Sequence, residues 1–297
     1  NYGRLTPSTF GAASASTGIV RVINACGAVK NATLQNSGIE GTQAHAVFLY
    51  PQYLAEMTNI YIDRIGGSSP GLMKGNLFGM MAPASYLVGD DGTATVRNLH
   101  IGTVQADVSA TTPVPLQLIG PTSTNGGFPY WVGPVNLLGF RIDTVLARGG
   151  SVTSGVPTVG SKSSIIDINT GAARVEGSIG SIQADMDSTT SNLSAIQLAG
   201  TGTYRLHVGD IQISNVGSGN TAYGISHTST AAGRYDVDFM RLTSTVSGGF
   251  VTGFTSSGVD GNYFTLRGGI HDTSVAGTGG FVVSAANTSN IALSNIR

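Results

Sequence analysis

The sequence predicts an all-β protein: a single-stranded, right-handed parallel β-helix of about nine coils, with loop insertions in its early coils. Three observations predict it. A short apolar template recurs along the whole chain. A second apolar-polar-apolar run precedes most copies of it. Between these runs lie Gly, Ser, Thr, Asn and Asp, and no amphipathic stretch of ten or more residues would make a helix. Units of two or three short strands without a crossover helix cannot bury an apolar face alone, so neighbouring units must stack into a continuous core.

The template, apolar at positions one, three and six, fits Ile60/Ile62/Ile65, Leu99/Ile101/Val104, Phe140/Ile142/Val145, Leu206/Val208/Ile211, Val237/Phe239/Leu242 and Ile291/Leu293/Ile296. Degraded copies have Gly177 ahead of Ile179 and Ile182, Gly269 after Phe264 and Leu266, and Ser37 after Ala32 and Leu34. Central residues 34, 62, 101, 142, 179, 208, 239, 266 and 293 are spaced by 28, 39, 41, 37, 29, 31, 27 and 27. The short intervals define the unit, and the long ones read as the same unit carrying an insertion. The second strand signal appears at Val47/Leu49, Tyr86/Val88, Leu116/Leu118, Ile166/Ile168, Ile196/Leu198, Tyr223/Ile225 and Phe281/Val283. Right-handed coiling follows by extending the crossover rule for parallel strands. Nine coils stacked at the strand spacing give a rod of roughly 40 Å. Residues 1–18 lack the repeat and read as a leader into the first coil, with the solenoid body over 19–297. The chain opens at Asn1 and ends at Arg297, one residue after a full template. It therefore reads as a piece of a longer protein, with a cap or assembly domain expected to follow.

Composition narrows the function. Charged residues make up 10% of the 297, and Gly contributes 43, so solubility rests on Ser, Thr, Asn and backbone. Such a surface is associated with extracellular and virion proteins. A net charge of −1 gives no electrostatic footprint for nucleic acid or an anionic membrane. No apolar run is long enough for a membrane span, and the single Cys26 excludes an internal disulfide framework. Walker and dinucleotide motifs and zinc-spaced His/Cys clusters are absent from the sequence. Asp90-Asp91-Gly92 reads as a tight turn rather than a calcium loop. Neither a cofactor nor a metal is expected.

Irregular coils of this length, early insertions, a Gly/Ser/Thr/Asn-rich surface and few charges make residues 19–297 resemble the β-helix bodies of bacteriophage tailspikes, in the pectate-lyase-like superfamily. The resemblance implies a homotrimer, located on a virion or outside the cell, that binds bacterial surface polysaccharide; many proteins of that kind also cleave it. The alternative is a non-catalytic structural or adhesive β-helix shaft. An ice-binding solenoid is disfavoured, because the outward column is chemically mixed rather than a regular Thr ladder.

In a strand, the residue between two inward residues points outward. The template therefore predicts an outward column of Tyr61, His100, Arg141, Ser178, His207, Asp238, Thr265 and Ala292, with Arg205 and Asp236 beside it. The near-identical stretches around His100 and His207 are then a structural repetition, with the two histidines about 14 Å apart. Stacking is expected to set Arg205 beside Asp236 and His207 beside Asp238. Tyr61, Arg141, Arg205 and His207 are candidate glycan contacts, because sugars are held by aromatic faces and by arrays of donors and acceptors. The plainer possibility is that these charges pair across strands and steady the sheet. Asp236 and Asp238 are the candidate catalytic pair. Two residues apart on one strand face, their carbons are roughly 6 to 7 Å apart, a spacing that permits inverting glycoside hydrolysis. If the protein is an enzyme, a hydrolase is favoured over a lyase. Asp185 and Asp187 form a second such pair, past the end of a strand motif. Tyr130 and Trp131 stand with Phe128 in the proline-stiffened insertion at 125–134. That insertion is a candidate sugar platform, with subunit contact or local packing as alternatives. The Met-rich insertion at 69–83 suits an interface.

Overall fold

Along Thr203–Ser214, exposed and buried side chains alternate as far as Val208; the next two, Gly209 and Asp210, are both half-buried before Ile211 is buried again. A strand places successive residues on opposite faces, so two consecutive outward residues mark a change of direction. Both flanks can then bury an apolar side chain in one core. The same break separates buried Ile101 from Val104, Ile142 from Val145, Ile179 from Ile182 and Val237 from Met240. This is the physical content of the six-residue template.

A computed structural model of the chain describes residues 20–24, 28–31, 33–34, 47–51, 56–67, 78–80, 94–107, 116–119, 135–148, 151–152, 163–168, 172–185, 188–189, 193–214, 221–243, 250–256, 260–272, 282–285 and 290–297. The larger sheet stacks Ala28–Lys30, Glu56–Gly67, Ala94–Asp107, Val135–Arg148, Ala172–Asp185, Thr203–Ser214, Gly233–Thr243, Tyr263–Leu266 and Asn290–Leu293 in sequence order. The short strands Thr33–Leu34 and Gly269–Asp272 pair beside this path. The smaller sheet stacks Val20–Asn24, Val47–Pro51, Phe78–Met80, Leu116–Ile119, Ser163–Ile168, Leu193–Leu198, Thr221–His227, Phe250–Ser256 and Val282–Ala285. Every pairing among these described strands is parallel. The chain is therefore all-β, built mainly from two long stacks of parallel strands, with Ser151–Val152 and Ser188–Thr189 pairing in a separate two-stranded sheet, consistent with a β-solenoid. Buried Ile, Leu, Val, Phe and Met side chains from both sheets form one core cluster. Each contributes roughly 1.5 to 3 kcal/mol by leaving water.

The register corrects one copy of the template. Val208 pairs with Val237, Ile211 with Met240 and Leu206 with Tyr235, so the repeating triplet is Tyr235/Val237/Met240 rather than Val237/Phe239/Leu242. Tyr235 is fully buried, whereas Phe239 is half-buried at the phase break. Val208, Val237 and Leu266 now stack at intervals of 29. The ladder neighbour of His207 is accordingly Asp236, and that of Arg205 is Arg234, not Asp238 and Asp236 as the sequence suggested. In the smaller sheet, the strand after Val47–Pro51 is Phe78–Met80, inside the insertion expected to form an interface. The expected strand signal at Tyr86/Val88 lies outside the described residues, as do the leader at 1–18, Cys26 and Asp90-Asp91-Gly92.

The degraded copy at Gly177 is a packing solution. A Cβ there would overlap the ring and carbonyl oxygen of Phe140, its ladder neighbour, so the large residue of one strand occupies the space of the next. On the neighbouring edge, Asn31, Asn59 and Asn98 all adopt positive φ of 57°, 55° and 53°, a conformation asparagine tolerates better than other residues with a side chain. The Asn59 Nδ2 donates to Asn31 Oδ1 at 2.9 Å and the Asn98 Nδ2 to Asn59 Oδ1 at 3.0 Å. Gly139 continues the column at φ 66°. The extra residue then disappears, as the register shift between Glu176 and Gly177 records.

Between the sheets runs an aromatic file. Tyr204 and Tyr235 each meet His227 edge-on, Tyr235 leans on Phe254, and Phe254 stacks on Phe264 with centroids 4.8 Å apart. The Tyr204 hydroxyl donates to the Ala199 carbonyl at 2.6 Å. Asn262, fully buried, accepts from the Gly233 N–H and donates to the Ser256 hydroxyl. His227 stands in the ladder position of Leu198 and is fully buried, and neither of its ring nitrogens has a hydrogen-bond partner among the described residues.

Candidate functional site

Outward side chains of the larger sheet escape the apolar requirement, and many of the described ionisable groups stand there. By register, Tyr61, His100, Arg141, Ser178, His207, Asp236 and Thr265 follow one another up the sheet. The first position of the phase break makes a second column of Asp63, Gly102, Asp143, Gly180, Gly209, Asp238 and Arg267. At Gly180 and Gly209 a Cβ would run into the backbone carbonyl of the strand beneath, so close approach requires glycine. These two glycines in succession open a shallow notch of about 280 Å³. Its walls are Arg141, Asp143, Ser178 and His207, and its floor is Gly180, Gly209 and Ile179.

One end of the notch is an ion-pair cluster. Asp143 Oδ1 accepts from Arg141 Nε at 2.6 Å, and Asp143 Oδ2 lies 2.8 Å from His100 Nε2. Because a carboxylate only accepts, the His100 proton belongs on Nε2 in this contact. Partial burial pushes the Asp143 carboxyl upward, but the bonds and charges of His100 and Arg141 together outweigh it and hold the group below its ordinary 3.8. Tyr61 meets His100 edge-on at 5.0 Å and turns its hydroxyl toward Asp63, 3.5 Å away.

The other end is also paired. His207 Nε2 lies 3.3 Å from Asp238 Oδ2; its side chain therefore reaches the carboxylate expected from sequence, although its ladder neighbour is Asp236. Arg267 Nη1 donates to Asp238 Oδ1 at 2.6 Å while its Nη2 stands 3.9 Å from Asp236 Oδ1. Arg234 Nε donates to Asp236 Oδ2 at 3.2 Å. Asp236 and Asp238 thus share one face, with the Arg267 guanidinium lying across both.

Of the residues singled out from sequence, the fold brings Arg141 and His207 into one notch. It sets Arg205, exposed, on the strand of His207, and Asp236 and Asp238 one strand beyond. Tyr61 lies two strands from Arg141 on the other side. Tyr130, Trp131 and Asp187 lie outside the described residues. Sequence reasoning passed over Asp143, Arg267 and the glycine floor, and left Ser178 in its column without a role. A signal for part of this was present: Arg141/Asp143, Arg174/Glu176 and Arg234/Asp236 repeat a basic-x-acidic spacing that puts both charges on one strand face, and all three pairs bond at 3.2 Å or less. Arg141 uses its Nε on Asp143 and His207 its Nε2 on Asp238, so the Arg141 Nη groups, the Ser178 hydroxyl and the His207 Nδ1 take no part in these two contacts. No protein-family model, no curated protein and no solved structure matches the chain.

Proposed function

We propose that the chain is the body of a right-handed parallel β-helix of about nine coils, tailspike-like on a virion or otherwise extracellular, that binds bacterial surface polysaccharide along the outward face of its larger sheet. The observation that carries the reading is the notch between Arg141 and His207. An extended row of donors and acceptors on a rigid sheet, with a shallow glycine floor, suits a chain of sugars better than a compact small molecule, for which a deep and mostly apolar pocket is usual. The three strand spacings between His100 and His207 span about 14 Å, room for a short oligosaccharide. Self-association as a homotrimer belongs to the same proposal and would show as a threefold mass in analytical ultracentrifugation.

Hydrolysis by Asp236 and Asp238 requires Arg267 to swing away, since its guanidinium occupies the gap a glycosidic oxygen would enter. The same arrangement favours a second reading, a non-catalytic adhesive or structural shaft whose face is closed by ion pairs. Capsule and O-antigen depolymerisation across a bacterial panel, comparing wild type with Asp236→Asn/Asp238→Asn, separates the two. Shortened chains with wild type alone support the carboxylate pair. Binding without shortening supports the shaft.

A further inference from the structure

We infer that the glycan held in the notch is acidic, with a sugar carboxylate bound between Arg205 and the notch donors Ser178 and His207. This rests on the reading of the notch as a glycan site and goes beyond it in naming the charge of the substrate. On this face Arg97, Arg141, Arg174, Arg234 and Arg267 each bond a carboxylate. Arg205 does not: it is exposed, and no carboxylate among the described residues pairs with it. Its ladder neighbours are Glu176 and Arg234. Glu176 is taken by Arg174 at 2.7 Å, and Arg234 brings a second guanidinium alongside. Like charges directly opposed in a ladder disfavour each other, and a bound anion relieves that. Arg205 also shares an outward strand face with His207 two residues on, which sets it next to a residue of the notch wall, and bidentate recognition of a planar carboxylate is what guanidinium geometry does best. The one carboxylate lining the notch, Asp143, is paired with Arg141, and the carboxylates beyond His207, Asp236 and Asp238, are paired with Arg234 and Arg267, which reduces their repulsion of an incoming anion.

The test measures binding of alginate, hyaluronan and polysialic acid beside dextran and galactomannan, with each acidic polymer measured again after its carboxylates have been activated with carbodiimide and reduced with borohydride. Wild type is expected to prefer the acidic forms, and reduction to weaken binding roughly tenfold. Arg205→Gln is expected to weaken binding of the acidic polymers by a similar factor and to flatten the fall in affinity between about 0.05 and about 0.5 M salt. Lys30→Gln removes the same charge about 24 Å along the same ladder and is expected to change nothing. Neutral or reduced polymers binding as tightly as the acidic ones, or an Arg205→Gln variant that binds like wild type, would overturn the inference and leave the glycan reading intact. Failure of every polymer, neutral and acidic, would overturn both.

Discussion

His227 makes the interior of this fold acid-sensitive, and the size of the effect follows from its surroundings. Burial pushes its pKa down from 6.5 to about 4; the backbone of Ala231 and the side chain of Asn262 oppose this without overcoming it, and neither ring nitrogen has a hydrogen-bond partner among the described residues. Between these two values the unfolded chain binds a proton that the folded chain refuses, so stability falls as pH drops. At about 1.4 kcal/mol per pH unit the full difference is about 3.4 kcal/mol, reached below pH 4, and about 2 kcal/mol is lost by pH 5. Asp143 acts in a separate window: its depressed carboxyl contributes stability above 3.8 that disappears only as pH falls through its lower folded value. A comparison of pH 8 with pH 5 therefore separates His227 from Asp143, and the variant supplies the control for every other group. The perturbation is His227→Leu, which restores the residue type of Leu198 in the same ladder and removes two unpartnered nitrogens. Urea unfolding should show wild type losing about 2 kcal/mol more than the variant between pH 8 and pH 5, with the variant no less stable at pH 8. Parallel pH dependences for the two proteins over that range would show that His227 is not the source of the acid sensitivity.

Other perturbations test the ladders and the site. Asn59→Ala should cost about 2 to 4 kcal/mol, from a left-handed backbone that alanine resists plus two lost amide bonds, while Asn59→Gly keeps the backbone and should cost about 1 kcal/mol less; urea midpoints rank the two. Gly177→Ala forces a Cβ into the Phe140 ring and carbonyl and should destabilise by about 1 to 3 kcal/mol. Adding Phe140→Leu should recover only part of this, because the carbonyl remains, as a melting comparison of the double variant would show. Asp143→Asn should remove the acid-dependent step below pH 3.8 and weaken the hold on His100, read as increased mobility of its ring in NMR relaxation. Arg267→Gln should open the gap between Asp236 and Asp238 and leave stability within about 1 kcal/mol, as expected for exposed ion pairs; a larger loss in urea midpoint would mark the pair network as structural.

The inward columns were legible because physics allows them little freedom. Ile62, Ile101, Ile142, Ile179 and Val208 are fully buried and stack directly, and any polar residue in that file would lose its hydrogen bonds to water. The register of Gly233–Thr243 was not legible, since its sequence satisfies the template in two frames: Tyr235/Val237/Met240 and Val237/Phe239/Leu242. Only the partner strand, with Leu206 opposite Tyr235, decides between them. His227 was invisible as a core residue for the opposite reason, because an imidazole reads as polar until its neighbours Tyr204 and Tyr235 are known to enclose it. The asparagine column had a signal that went unread: Asn31, Asn59 and Asn98 each stand three residues before the central apolar residue of the template. Asn290 stands at the same distance yet lacks positive φ, because the extra residue is lost after Gly139 and Asn290 belongs to the ladder of Arg205, Arg234 and Tyr263. Sequence position alone could not separate the two cases.

The outward face follows a different logic. Nothing in burial fixes which charge stands where, so the column could be written down from sequence but its pairings could not. Side-chain reach matters as much as register: His207 finds Asp238 from a position opposite Asp236, and Arg267 bridges two carboxylates of the neighbouring strand. The notch itself depends on two glycines whose absent side chains leave room between Asp143 and Asp238. A residue with a side chain at either position would strain the stack and fill the notch at once, so at these glycines stability and access to the outward face impose the same requirement. On the proposed reading, specificity would rest on the outward residues Ser178 and His207 of one ladder and Arg205 of the next, where substitution costs the fold little. In a stack of near-equivalent strands, recognition can therefore change one outward residue at a time while the inward columns hold the register.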